Sequence, residues 1–274
     1  MSFDVGRPVR ILPTRRESGA MNMALDAVAA ETVSAGGPAS IRVYGWDPST
    51  LSLGYAQDAD TIDWEYCSNE GIEVTRRPTG GGAIYHDAIG DVSYSIVLPK
   101  EAQPTDLLES YHQLCDPLLD ALDRMGINAQ YVDTPSPAIH SPACYLRDLH
   151  PAHDIVAPID GTFRKISGNA QHRQRDAIVQ HGSLTVQSTP ETHLACFSNP
   201  PDPDRFRERV CGLIDLIEID RQTVISTLES VFTETFAADE AAWDSTERER
   251  AAELVERRFG NDEWVRDRSM SLET

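Results

Sequence analysis

The residues able to do chemistry fall into two clusters well apart in the chain. The first is Glu73 to Asp91, EVTRRPTGGGAIYHDAIGD. Gly80, Gly81 and Gly82 remove every Cβ over three positions, so the backbone can take positive φ and lie flush against a ligand. Successive exposed N–H groups in such a bend form a concave anion site. Arg76 and Arg77 add forked donors suited to a phosphate or carboxylate. A His86-Asp87 pair follows. The plainer alternative is a mobile glycine loop beside two solvated arginines. No G-K-[ST] follows the glycines, and G-x-G-x-x-G spacing is absent, so neither a nucleoside-triphosphate P-loop nor a dinucleotide fingerprint is present.

The second cluster is KISGNAQ, Lys165 to Gln171. The chain has only two lysines, Lys100 and Lys165; its other cations are arginines. Keeping a lysine here suits a compact, point-like ammonium meeting a carboxylate or phosphate oxygen. Ser167, Gly168, Asn169 and Ala170 read as a tight turn after it. QHGS follows on the next strand, and its His181 taken alone reads as a structural histidine. Cys144 sits in a Pro/Ser-rich loop (TPSPAIHSPACYLRD) and is open to two readings, a small buried hydrophobe or a nucleophile.

These groups need a scaffold, and 274 residues can bury a full core. The balance of 44 Asp+Glu against 24 Lys+Arg, a net charge of −20, repels nucleic-acid phosphates and anionic membranes. We read it as an adaptation to a salty cell interior, where a large net charge is screened. Five cysteines without CxxC spacing point to reduced thiols and a cytoplasmic setting. The patterning predicts a helix over 21–34 capped by Ser18, strands over 41–44 and 51–55, and a short helix within 60–69. A helix over 106–125 follows, kinked or split at Pro117, then a strand over 127–132. Asp160-Gly161 is expected to turn a hairpin into the 162–168 strand, with another strand over 178–186. Helices are predicted over 223–236 and 245–259. Helices and strands interleave without βαβ regularity.

RRPTGGGAIYHD, KISGNAQ and QHGSL, in that order, resemble the lipoate–protein ligase A family of the biotin/lipoate ligase superfamily. The likeness extends to MNMALDAV, PSTLSLGYAQ and the E-x-x-x-A-x-x-L pattern before Trp264, and so spans nearly the whole chain. It implies an α+β fold, a central mixed β-sheet flanked by helices, similar to class II aminoacyl-tRNA synthetase and biotin synthetase domains. The catalytic domain would cover 1–200, with a small helical extension over 205–274 packed on it. The implied ligase activates lipoate or octanoate with ATP and Mg²⁺ as an acyl-adenylate. It then acylates one lysine of a lipoyl domain in a 2-oxoacid dehydrogenase complex or of the glycine-cleavage H protein. By the same resemblance Arg76, Arg77, Gly80, Gly81, Gly82 and Ala83 form the lipoyl/adenylate loop, with His86 and Asp87 just past it. Lys165 contacts the carboxylate and α-phosphate. Ser167, Gly168, Asn169, Ala170 and His181 line the adjoining wall, and Ile84, Tyr85 and VSYSIV are candidates for the acyl tunnel.

Cys144 raises a second reading. It stands where octanoyltransferases of this family carry a nucleophilic cysteine, and the Arg-Asn-Asp run of many ligases is missing. A transferase would use no ATP: it would take octanoyl from acyl-carrier protein as a Cys144 thioester, with Lys165 holding the thioester oxygen or activating the thiol. Gly82 matches the ligases, since those transferases usually have arginine there, and the Gly-rich motif is the longest match. The sequence therefore favours the ligase, with the short tail pointing to a separate accessory subunit. A non-catalytic module that docks lipoyl domains would predict a damaged motif or a lost lysine, and both are intact.

Overall fold

A computed structural model describes residues 3–269. The chain opens with β1 (Val9–Glu17), α1 (Gly19–Ser34), β2 (Ala39–Trp46), β3 (Thr50–Leu53) and α2 (Trp64–Asn69). The Gly-rich segment follows as β4 (Glu73–Arg76) and β5 (Ile84–His86), with its bend between them, and leads into β6 (Asp91–Pro99). Next come α3 (Leu107–Arg124), β7 (Gln130–Tyr131), β8 (Asp154–Ile159), β9 (Thr162–Arg173) and β10 (Ala177–Thr185). The C-terminal part holds α4 (Pro190–Ala195), α5 (Pro203–Arg209), α6 (Arg221–Phe236), β11 (Asp239–Glu240), α7 (Ser245–Leu254) and α8 (Asp262–Asp267).

Eight strands form one sheet in the order β11-β1-β2-β6-β10-β9-β8-β7. The β11-β1-β2 edge is parallel and the remainder antiparallel, so the sheet is mixed, as the resemblance implied. A second sheet, β4-β3-β5, carries the Gly-rich bend. Among the described residues no helix is long and apolar enough to cross a membrane.

Local chemistry sets most element ends. Ser18 Oγ accepts the Met21 N–H and starts α1. Asp160 and Gly161 both take positive φ, 49° and 76°, which closes the β8–β9 hairpin. Asp244 and Glu247 form a reciprocal capping box at the start of α7. Helix α3 is not split at Pro117; it runs through as one element, its Leu114, Leu118, Ala121 and Leu122 buried in the main core. That burial offsets the missing backbone hydrogen bond.

One expected turn is a strand. Ser167, Gly168, Asn169 and Ala170 continue β9, paired with β10 as Gly168–Ser183, Asn169–Gly182 and Ala170–His181. Tertiary bonds outweigh the local turn signal. Asn169 Oδ1 accepts from the Tyr94 hydroxyl at 2.6 Å, and its Nδ2 donates to the His153 carbonyl at 2.9 Å. Gly182 opposite leaves the room: a Cβ there would sit 2.1 Å from Asn169 Oδ1.

The C-terminal segment supplies an edge strand as well as helices. Val224, Leu228, Val231 and Phe232 of α6 join the main core, and β11 pairs with β1. Helix α7 packs against α1, and α8 buries Trp264 and Val265 against β4.

Candidate active site

The bend is folded from inside by its own arginine. Arg77 Nη2 donates to the Gly80 and Gly82 carbonyls at 2.8 and 2.7 Å, Nη1 to the Ser52 carbonyl at 2.6 Å, and Nε to Thr79 Oγ1 at 3.1 Å. Gly81 takes φ 95°, and a Cβ on it would lie 3.0 Å from Arg77 Nη2 and 3.9 Å from Cys144 Sγ. The N–H groups of Gly80, Gly81 and Gly82 donate to no protein atom among the described residues. Two of these glycines line a cavity of about 400 Å³.

Cys144 opens a 3-10 turn, Cys144–Leu146, on the same cavity. Backbone bonds fasten this turn to the bend: Ala83 N–H to Pro142 O at 2.7 Å, and Cys144 N–H to Ala83 O at 2.8 Å. Tyr145 is buried, its hydroxyl within 3.0 Å of both Ser183 and Thr185 on β10. Cys144 therefore stands half-buried between two anchored neighbours.

Lys165, on β9, lines the same cavity as Cys144 and is almost wholly buried. Its Nζ lies 2.6 Å from Asp154 Oδ1 and 5.1 Å from the Tyr145 ring centre. Asp154 Oδ2 accepts the His150 N–H at 2.8 Å. Burial alone would push the Asp154 carboxyl up, but the Lys165 charge and His153 hold it well below the usual carboxylate range. Asp154 is thus ionised, a fixed counter-charge that orients the Lys165 amine. Gly168 makes room for it: a Cβ there would lie 3.3 Å from Lys165 Cε.

The two histidines are held by partners of their own. His181 Nε2 is 2.8 Å from Thr79 Oγ1, and its Nδ1 is 3.8 Å from Asp26, which is itself paired with Arg42. His86 lies between Ser52 (3.0 Å) and Asp91 (3.2 Å) and stacks on Trp46 at 4.0 Å. Burial lowers the His86 pKa against the pull of Asp91, favouring the neutral ring.

The cavity brings together Arg77, Gly80, Gly81 and His86 from the first half of the chain with Cys144 from the second. From the second half it also takes Lys165, Gly168, Asn169, Ala170 and His181. It leaves out Arg76, Gly82, Ala83, Asp87 and Ser167. Arg76 is fully buried, and its guanidinium donates to the carbonyls of Gly54, Tyr55, Gln57, Val265 and Arg266. Nε, Nη1 and one Nη2 hydrogen are thus spent on the backbone of a site away from the cavity, and the residue ties α8 to the loop after β3. Arg77 reaches the wall, but its donors are likewise engaged by the bend. Asp87 accepts from the Ile89 and Gly90 N–H groups and shapes a turn. Ser167 is buried with its hydroxyl unpaired. Gly82 and Ala83 face the Cys144 loop instead of the cavity.

The apolar wall also differs from expectation. Ile84 lines it, Tyr85 does not, and of the β6 residues only Ser93 does; Met23, Tyr44 and Trp46 supply the rest. The sequence reading missed Asp154, the partner of Lys165. A signal existed: in a hairpin turning at Asp160-Gly161, Asp154 falls on the facing strand close to Lys165.

Gly82 admits a direct test. A Cβ there would meet Pro142 O at 2.5 Å and Ser141 O at 2.9 Å, both backbone atoms. Gly82→Ala is expected to push the Cys144 turn off the bend and lower turnover by about 10–100-fold, since displacements near 1 Å carry such losses. Steady-state kinetics beside a thermal melt check this; unchanged turnover would show that the close approach is dispensable.

Residues 18–233 match the lipoyl protein ligase A/B catalytic domain family. Among curated proteins the chain is similar to the octanoyltransferase LipM of Kyrpidia tusciae, 34% identical over 93% of this chain and 97% of that protein. It is similar also to LipM of Brevibacillus brevis, 31% identical over the same shares. Among solved structures it resembles a lipoate-protein ligase A bound with ATP, with TM-score 0.78 and 25% identity over 94% of this chain and 98% of the other. The fold is shared with a bipartite lipoate protein ligase from Thermoplasma acidophilum, solved in a study of that ligase and its E2 lipoyl domain, with TM-score 0.80 and 23% identity over 98% and 100%. The chain belongs to the lipoyl protein ligase A/B catalytic domain family and is an enzyme of the lipoyl ligase and transferase type.

Proposed function

We propose that the chain is an octanoyltransferase in which Cys144 carries the acyl group from a carrier-protein thioester to a lysine of a lipoyl domain. The observation that carries this reading is the placement of Cys144, half-buried on one cavity with Lys165 and with Gly81, whose Cβ position lies 3.9 Å from the Cys144 sulfur. The names of the curated relatives support it. Cys144 sulfur attacks the thioester carbonyl carbon, the carbon–sulfur bond to the carrier breaks, and the leaving carrier thiolate takes the proton that Cys144 gave up. The neutral amine of the acceptor lysine then attacks the Cys144 thioester. The amide forms, Cys144 sulfur leaves, and the amine's proton returns to it. In both steps negative charge grows on the carbonyl oxygen. Lys165, oriented by Asp154, and the N–H groups of the bend are preorganised donors for that charge.

ATP-driven ligation, which the sequence favoured, is the competing reading, supported by likeness to the ATP-bound ligase. Its chief mark was Gly82. The clash of a Cβ with Pro142 and Ser141 gives that glycine a packing reason that applies to either chemistry.

The test is intact-mass spectrometry after mixing the protein with octanoyl-carrier protein and no ATP. One octanoyl group on Cys144, lost in Cys144→Ala together with acylation of an apo lipoyl domain, is the expected result. Transfer that requires ATP and survives Cys144→Ala would replace this reading with the ligase.

A further inference from the structure

The chemistry above leaves Arg147 without a role, yet it lines the cavity beside Cys144. Its side chain is exposed and makes one hydrogen bond, from Nη1 to the Ser141 carbonyl at 3.4 Å. No carboxylate lies within ion-pairing distance of it among the described residues. The chain has carboxylates in plenty, 44 Asp+Glu against 24 Lys+Arg, yet none of those described is set against it. Nearby on α5, Arg205 and Arg207 are both ion-paired, to Glu208 and to Glu191 and Asp204. Arg209 is bound to backbone instead: it donates to the Arg147 and Pro137 carbonyls and so braces the segment that carries Arg147. A braced, solvent-facing, unpaired guanidinium at the rim of a reactive cavity suits an anion brought by a partner.

The position selects which partner. The acyl donor's phosphate lies at the far end of a long pantetheine arm, remote from the thioester. The acceptor lysine must instead insert its side chain, which leaves its own backbone at the rim, one lysine length from the sulfur. Arg147 follows Cys144 by one turn and stands at that rim. In a chain of net charge −20, an unpaired guanidinium at that rim is a local site of attraction for a carboxylate.

We infer that Arg147 docks the acceptor: its guanidinium pairs with a carboxylate flanking the target lysine and steers that lysine onto the Cys144 thioester. This rests on the transferase reading. The test separates the two half-reactions. Acylation of Cys144 by octanoyl-carrier protein is followed by intact mass, and transfer to the lipoyl domain by its acceptor KM at fixed salt. Arg147→Ala is expected to raise the acceptor KM about five- to tenfold, Arg147→Glu to raise it further, and Arg147→Lys to recover part of the loss, while the acyl-Cys144 rate holds. Amidating the flanking carboxylates of the acceptor should give the same rise with the unmodified enzyme and no additional rise with Arg147→Ala. Strictly additive losses, or an acceptor KM at its original value while acyl-Cys144 forms normally, would overturn the assignment of Arg147 alone. Absence of acyl-Cys144 in the unmodified enzyme would overturn the transferase reading and this inference with it.

Discussion

Lys165→Ala is expected to slow acylation of Cys144 by about 10²–10³-fold, the usual cost of removing one preorganised donor from a developing oxyanion. The side chain is almost wholly buried, and its ammonium is the cation placed between Asp154 and the cavity. Lys165→Arg should not restore the rate. A planar guanidinium directs its fork differently from the compact ammonium that stands 2.6 Å from Asp154 Oδ1. The substitution carries a second signature. Without the Lys165 charge the buried Asp154 carboxyl keeps only His153 against burial, so its pKa rises. Native Asp154, held low, contributes stability that is present above the unfolded carboxyl's pKa and fades as pH falls through the folded one. Lys165→Ala should therefore lose stability at neutral pH and flatten its acid dependence. Single-turnover mass spectrometry reads the rate, and urea unfolding at several pH values reads the second effect. A rate within twofold of the original would remove Lys165 from the reaction.

Arg76→Ala is expected to cost about 3–5 kcal/mol of folding stability, the range for removing a buried charged partner from its hydrogen bonds. Five carbonyls from two distant segments converge on this guanidinium, and the Trp264 indole N–H donates back to the Arg76 carbonyl. Their loss should free α8 and the Gly54 loop, on which Gly81 rests: a Gly54 Cβ would lie 2.0 Å from the Gly81 carbonyl oxygen. Denaturant unfolding at constant salt gives the stability, and KM on the folded fraction gives binding. A raised KM with an unmoved unfolding midpoint would return Arg76 to the substrate.

Arg76 also shows what the sequence could and could not tell. Its type is legible, but its partners are backbone carbonyls at 54–57 and 265–266, and a carbonyl leaves no trace in residue identity. Lys165 stood out because lysine is so scarce in the chain, yet its setting was misread: Ser-Gly-Asn is turn-like until Tyr94 and Gly182 are known to face it. The Ser18 cap and the Asp160-Gly161 hairpin are settled by local chemistry and were readable. β11 was not, because Asp239 and Glu240 are two acidic residues without periodicity, recruited to the sheet edge by β1.

The junction of Ala83 with the Cys144 segment runs through main-chain amides alone. Such a clasp is indifferent to side-chain identity so long as the residues stay small, as Ala83 and Ala143 are, both fully enclosed. It fails where an amide hydrogen is missing, since proline at 83 or 144 would delete one of its two donors, or where a side chain is forced into the contact, as at Gly82. Small residues beside Cys144 can thus drift in sequence without moving its sulfur, which leaves the outward face of this stretch free to vary.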